Sequence, residues 1–364
     1  MSNKNSTLLT PNQLYALLIG FTSGVGILSL PNFLVKYTYQ DSWIAAILGG
    51  TYPLYIGVLA IYISRKFPKD NILAISKKKC GSFIGGLLNF IFMTYFIFNY
   101  VVITAGFNNV SRVYINPYLS SDKIVITITA AAIIAACAGI KVLGKLNEVI
   151  YYILLIIIIL CSMAFPKGSI KNLFPVFQSN GVDILNGIEA SMFSYSGIEA
   201  IFLLYPFVND SAKIKKTVMK FIIVIVIIYT YITFITIYYF SSDIILKNFW
   251  SFVEVAESVN ISVIASFKYL FVFLWIPVAL RMSFNYFYAS IFILKDFLKK
   301  VSFLSLSIMV APILIYLTSK LTDEYVLRSI LKLIVPKYVM FMILYISLIS
   351  LLIFLKKGER NEIT

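Results

Sequence analysis

Two short stretches of this chain combine the residue types that a membrane-embedded site for a small polar solute requires. Ser23-Gly24-Val25-Gly26 interrupts an apolar segment that runs from Gln13 to Leu30 and closes with Leu30-Pro31. Phe193-Ser194-Tyr195-Ser196-Gly197-Ile198-Glu199 interrupts a second, from Ile184 to Leu204. Glycines let the backbone open without side-chain clash, and Pro31 is expected to limit helix continuation. Unwound peptide at bilayer depth survives only where protein or a cavity satisfies its amides and carbonyls. A half-helix beginning at Gly24–Gly26 would direct free N–H groups and a positive dipole end toward an anionic group. Carbonyls freed around Phe193–Ser196 would accept from an ammonium group. The chemistry expected is therefore recognition of a zwitterion, with Ser23, Gly24, Val25, Gly26, Phe193, Tyr195, Ser196, Gly197 and Glu199 as candidate ligand-binding residues. The bland alternative is that Gly-x-Gly merely permits close helix packing.

Three ionisable residues are placed inside the membrane: Glu189, Glu199 and Arg281. Such groups are costly there and need partners. Arg281 is expected to pair with a carboxylate, Glu199 first and Glu189 second, or to stand in for a coupling cation and so remove the need for sodium. Glu199 either pairs structurally or carries a proton or contacts ligand. Tyr95 and Asn99, at i and i+4, share one face of a Phe/Ile-rich helix, where pocket lining competes with helix-to-helix hydrogen bonding.

The elements that must position these groups follow from composition. The chain has 364 residues, 60% of them hydrophobic and 13% charged, with mean hydropathy +0.89. No soluble class fits. Apolar stretches long enough to cross roughly 30 Å of hydrocarbon recur throughout; ten are placed at about 11–30, 42–64, 83–106, 124–140, 147–165, 183–205, 218–240, 267–294, 301–319 and 338–355. The fold expected is an all-α polytopic membrane protein, a single transmembrane domain over 1–364. Two five-helix repeats, about 11–165 and 183–355, would be inverted, with discontinuous helices 1 and 6 as counterparts. With both termini cytoplasmic, inner loops and tails hold 19 of the 31 Lys and Arg and outer loops 10, as orientation by positive charge requires. The +15 net charge is spread over loops, so no nucleic-acid partner is expected. The stretch Phe249–Asn260 reads as an amphipathic outer helix, either interfacial or a gate, and loop 319–337 as a candidate partner surface. No His is present, and Cys80, Cys137 and Cys161 share no ligand spacing, so neither metal nor cofactor is expected. Met1–Thr10 is polar and no cleavage pattern follows, so no cleaved signal is expected.

Gly24-Val25-Gly26-Ile27-Leu28-Ser29-Leu30-Pro31 resembles the G-x-G-I-x-x-L-P of the first helix in amino acid–polyamine–cation permeases, and Phe193–Glu199 resembles their sixth-helix F-x-[FY]-x-G-x-E. Leu9-Thr10-Pro11-Asn12-Gln13, the ten spans, Leu204-Tyr205-Pro206-Phe207 and Trp275 make the whole chain similar to the spore germination permease family, the B-type membrane subunits of nutrient germinant receptors. The resemblance implies a LeuT-like five-plus-five fold in the inner membrane of a bacterial endospore, beside A-type and C-type receptor subunits. It implies no enzymatic activity, but binding of a germinant, commonly an L-amino acid, between helices 1, 3, 6 and 8. Backbone at Gly24 and Gly26 would hold the carboxylate and carbonyls near Phe193–Ser196 the amine, with Tyr95, Asn99 and Tyr195 shaping the pocket. Two alternatives are an amino-acid transporter working by alternating access, and a structural or ion-conducting subunit with a vestigial site.

Overall fold

Each end of the first apolar segment has a local cause. Thr10 and Gln13 form a reciprocal capping box, Thr10 Oγ1 accepting from the Gln13 amide at 3.2 Å and Gln13 Oε1 from the Thr10 amide at 3.1 Å. With Pro11 at the first helical position this starts α1 (Pro11–Thr22). Ser23 then turns to extended backbone, φ −99° and ψ 114°, and the helix stops. It resumes as α2 (Gly26–Thr38). The expectation that Pro31 closes this segment is corrected: Pro31 lies inside α2, which continues to Thr38. The missing N–H falls near the start of α2, where it removes one intrahelical bond and leaves the turns beyond intact.

The computed structural model describes residues 8–259 and 267–361, with side chains to Leu355. The polar N-terminal tail, Asn260 at the end of the amphipathic stretch and the final residues lie outside that set. Beyond α2 the chain forms α3 (Ser42–Gly49) and α4 (Thr51–Lys66), the short basic α5 (Ile72–Cys80), and α6 (Ser82–Tyr114). Next come α7 (Ser121–Cys137), α8 (Ile140–Cys161), α9 (Gly181–Tyr195) and α10 (Ile201–Leu204). The remainder comprises α11 (Ile214–Tyr239), α12 (Ser242–Ile245), α13 (Ser251–Glu257), α14 (Phe267–Phe297), α15 (Phe303–Ser319) and α16 (Glu324–Asn361). Among the described residues six helical stretches are long and apolar enough to cross a membrane, between Gly26 and Lys66, Ser82 and Tyr114, Ile140 and Lys167, Ser211 and Tyr239, Phe267 and Phe297, and Glu324 and Leu355.

The second interrupted segment mirrors the first in its punctuation. Asn180 and Asp183 form a capping box at the start of α9. At its end Ser196 is extended, Gly197 takes φ +120°, and a 3-10 turn over Ile198–Ala200 leads into α10. Glycine meets that φ without the strain a Cβ would impose.

In the bundle, α14 packs against α6, α8 and α7, α2 against α9, and α1 against α8 and α11. Leu9 and Val208 form a parallel bridge at one end, the Leu9 amide donating to the Phe207 carbonyl at 2.7 Å and the Asn209 amide to the Leu9 carbonyl at 3.0 Å. The start of the first interrupted segment is thus tied to the end of the second.

Two expectations about the connecting segments change. Residues 324–337 are not a loop: they are the first turns of the 38-residue α16, which carries Pro336 inside it. The stretch after Trp250 is helical, as α13, with Phe252, Val253, Val255 and Ala256 buried against α14 and α2 rather than facing a bilayer surface. Asn32 of α2 fixes that segment. Its Nδ2 lies 2.8 Å from each of the Ile245 carbonyl, the Asn248 carbonyl and Ser251 Oγ, and its Oδ1 accepts from the Ser251 amide at 3.2 Å. Asn32→Ala leaves those groups without their partner, at about 1–3 kcal/mol for each one that water cannot reach. The expected outcome is faster hydrogen exchange confined to residues 245–253, read by mass spectrometry, with exchange in α6 and α11 unchanged.

Candidate functional site

The two interruptions face each other. Ser194 Oγ at the end of α9 donates to the Gly26 carbonyl at 3.3 Å, and a Cβ on Gly197 would lie 2.5 Å from the Phe21 carbonyl oxygen. The Tyr229 hydroxyl of α11 sits between them, 2.8 Å from the Thr22 carbonyl and 2.7 Å from the Ser194 carbonyl. Its single proton serves one of these freed carbonyls at a time. At the start of α2 the Leu28 amide donates to the Val25 carbonyl at 3.2 Å, while the Gly26 and Ile27 amides have no intrahelical acceptor and Val25, the cap, supplies no side-chain bond. Gly24 packs on α14, where a Cβ would come within 2.5 Å of Met282 Sδ; a Cβ on Gly26 would meet Ser194 Oγ at 3.2 Å. Gly24 and Gly26 therefore serve close packing, the alternative weighed for this Gly-x-Gly, and Gly197 is the glycine of the two breaks whose positive φ the backbone requires. Tyr229→Phe removes the one donor these two carbonyls share and should lower the melting midpoint by an amount equivalent to about 1–2 kcal/mol, measured by differential scanning fluorimetry in detergent.

The remaining expected residues divide by orientation. Glu199 is completely buried and is not paired with Arg281. It turns back along its own segment: Oε2 accepts from the Gly197 amide at 2.7 Å and from the Tyr95 hydroxyl of α6 at 2.8 Å, while Oε1 accepts from the Tyr52 hydroxyl of α4. The expected Glu199–Arg281 pair is thereby corrected. Glu199 faces α4 and α6, Arg281 faces α1 and α8, and three O–H or N–H donors already satisfy the carboxylate. Glu189, the second partner expected for Arg281, is likewise not paired with it: it is exposed and borders a cavity. Asn99 donates to the Tyr95 carbonyl at 3.0 Å, satisfying its amide within α6 rather than across helices. Tyr195 points to α3, where its hydroxyl donates to the Ala46 carbonyl at 2.6 Å; Ser196 Oγ caps the Met192 carbonyl at 2.8 Å.

Arg281 of α14 is fully buried beside the first interruption. Its Nη2 donates to Ser23 Oγ at 2.9 Å, and Nη1 lies 3.4 Å from the Asn147 carbonyl of α8. One turn on, Asn285 and Asn147 exchange two side-chain hydrogen bonds of 2.9 Å, and Gly20 lies so close that a Cβ would fall 1.7 Å from Asn147 Oδ1. A polar seam thus joins α1, α8 and α14.

A cavity of about 470 Å³ opens at the α12–α13 end of the bundle, bordered by Asn32, Phe33, Glu189, Phe249 and Arg328. Phe193 forms part of its wall, and the same ring lies 3.6 Å from where a Cβ on Gly26 would sit. The cavity therefore ends at the interruptions, one aromatic ring away. The Arg328 guanidinium borders it, 4.8 Å from the Phe33 ring and 4.7 Å from the Phe249 ring, and paired with Glu324 at 2.7 Å.

Tyr52, Tyr229, Met282 and Ser194 were not singled out as site residues from the sequence. Tyr52, Tyr229 and Met282 lie in uninterrupted helices, where one aromatic or Met among many carries no local signal. Ser194 was within the motif and could have been weighed with its neighbours.

These elements define a class: a helical membrane protein with the LeuT fold of solute transporters, two broken helices meeting inside the bundle. The chain superposes on a Na+-coupled sialic acid symporter in a substrate-bound outward-open state with TM-score 0.61, at 12% identity over 95% of this chain and 78% of that one. It superposes on Mhp1, a nucleobase-cation-symport-1 family transporter in a closed conformation with bromovinylhydantoin bound, with TM-score 0.60, at 13% identity over 88% of this chain and 77% of that one. Within that class, the chain belongs to the spore germination protein family (spore permease), whose model matches residues 8–326. Spore germination protein GerQB of Bacillus cereus is 26% identical over 269 residues, 73% of this chain and 74% of that protein. Spore germination protein YndE of Bacillus subtilis (strain 168) is 24% identical over 213 residues, 58% of this chain and 59% of its own length. Spore germination protein B2 of the same strain is 25% identical over 216 residues, 59% of each chain.

Proposed function

We propose that this protein is the membrane subunit of a spore nutrient germinant receptor, binding a small germinant, an L-amino acid or close relative, where the two interrupted helices meet. In this reading ten helices span the spore inner membrane with both termini cytoplasmic, and the chain folds as two inverted five-helix repeats in one domain. The subunit works beside A-type and C-type partners rather than as an enzyme. The observation that supports the proposal is the face-to-face placement of the two breaks, where α2 begins with the Gly26 and Ile27 amides free of helix partners and the carbonyls ending α1 (Thr22) and α9 (Ser194) share one Tyr229 proton. Binding would favour one arrangement of the broken helices over another, and only contacts that differ between the two arrangements can drive such a shift. The cavity ending at Phe193 supplies a route to the site.

A second reading, transport of the same solute by alternating access, is favoured by the fold shared with symporters. The two separate by experiment on the full-length protein in proteoliposomes and nanodiscs. Sensing predicts saturable binding of at least one of the twenty proteinogenic L-amino acids with no accumulation inside the vesicles. Accumulation against a gradient establishes transport instead, and no binding across the panel overturns both in favour of a structural role.

A further inference from the structure

We propose that Arg281 is the counter-charge for the carboxylate of the bound solute, so that the site selects ligands carrying that anionic group. The inference rests on the proposed binding role and names the chemistry it would demand. Arg281 is wholly buried in α14, yet of its three nitrogens Nη2 alone makes a close bond, to Ser23 Oγ at 2.9 Å. Nη1 reaches the Asn147 carbonyl only at 3.4 Å, and Nε has no partner. Among the described residues five ion pairs form, and Arg281 is in none of them. The buried acid that could have served, Glu199, has its oxygens engaged by Tyr52, Tyr95 and the Gly197 amide.

A cation at this depth with no anion is costly. The last carbonyls of α1 offset part of that cost through the negative end of the helix dipole, but they supply no full charge. Ser23, which Arg281 touches, is the residue where α1 ends, three positions before α2 begins. The next residue of α14, Met282, packs on Gly24. The guanidinium and the free Gly26 and Ile27 amides of α2 thus border one break from two sides. A carboxylate there has four lone-pair directions to distribute, some to the α2 amides and some to the planar guanidinium. Neither set alone satisfies both the buried cation and an incoming anion.

The test uses full-length protein in nanodiscs, titrated with the twenty L-amino acids and their α-carboxamides. The wild type should prefer acid over amide by about 10- to 100-fold, the range of one charged hydrogen-bonded contact. In Arg281→Gln that preference should fall to within a few-fold, through weaker binding of the acid with the amide little changed. Arg281→Lys keeps the charge without the planar fork and should retain an intermediate preference, which keeps the test decisive if the Gln variant does not fold. The proposal is overturned if the wild type binds amide and acid alike, or if both variants keep the full preference or weaken both ligands equally. If the wild type binds no member of the panel, the binding role itself fails.

Discussion

Gly197→Val is expected to abolish nutrient binding, with no saturation at ligand concentrations 100-fold above the wild-type dissociation constant. Gly197 holds φ at +120°, a backbone region that is essentially restricted to glycine. Any Cβ there also lies 2.5 Å from the Phe21 carbonyl oxygen and 2.7 Å from its carbon, both backbone atoms of α1 that cannot rotate aside. Backbone strain costs about 1–3 kcal/mol, and a β-branched side chain adds the displacement of α1 from α9. Because the site lies between those two helices, the displacement acts on the ligand directly. The measurement is isothermal titration on purified protein together with its size-exclusion profile. Near-normal affinity in a folded Gly197→Val protein would show that the interruptions need not meet for binding. Gly197→Ala carries the same φ strain with a smaller group and should weaken binding by a lesser factor.

Glu199→Ala should produce the largest loss of stability of any single substitution considered. It removes the acceptor for the Tyr52 hydroxyl, the Tyr95 hydroxyl and the Gly197 amide together, all in a position closed to water. At about 1–3 kcal/mol for each buried donor left unpaired, and allowing for non-additivity within one network, the expected loss is about 3–6 kcal/mol. Glu199→Gln keeps one acceptor oxygen, and the tyrosine hydroxyls can reverse to accept from the new amide, so its loss should be less than half as large. The check is the melting midpoint of both variants in detergent, with tryptophan fluorescence as the probe. Equal, small shifts for Ala and Gln would mean that the carboxylate is not structural and would return Glu199 to a role in ligand contact.

The two substitutions probe different links in the chain from sequence to function. Gly197 acts through backbone geometry that is visible in the residue type alone, whereas Glu199 acts through three partners scattered between residues 52 and 197. The sequence made Glu199 conspicuous as a charge within an apolar segment. Nothing in it could show that the carboxylate folds back on its own helix break, because that depends on where α4 and α6 pass. The same limit explains Arg281. A buried arginine implies a carboxylate somewhere, and Glu199 was the nearest in depth, but depth along the bundle carries no information about azimuth around it. Arg281 lies on the side of α14 that meets α1 and α8, away from the acid.

Local chemistry alone determined the membrane class, the positions of both interruptions, the capped starts of α1 and α9 and the helical character of α13. Hydropathy, capping residues and glycine conformation act within a few residues and need no fold to be effective. The tertiary structure decided what each polar side chain touches: Tyr195 turned to α3, Glu189 at the cavity, Tyr229 between two carbonyls, with α2 running on through Pro31 and α16 starting at Glu324 within the stretch expected as a loop. The physical reason is that a buried polar group takes whichever partner the packing of several helices brings within about 3 Å, and that proximity is a property of the whole bundle.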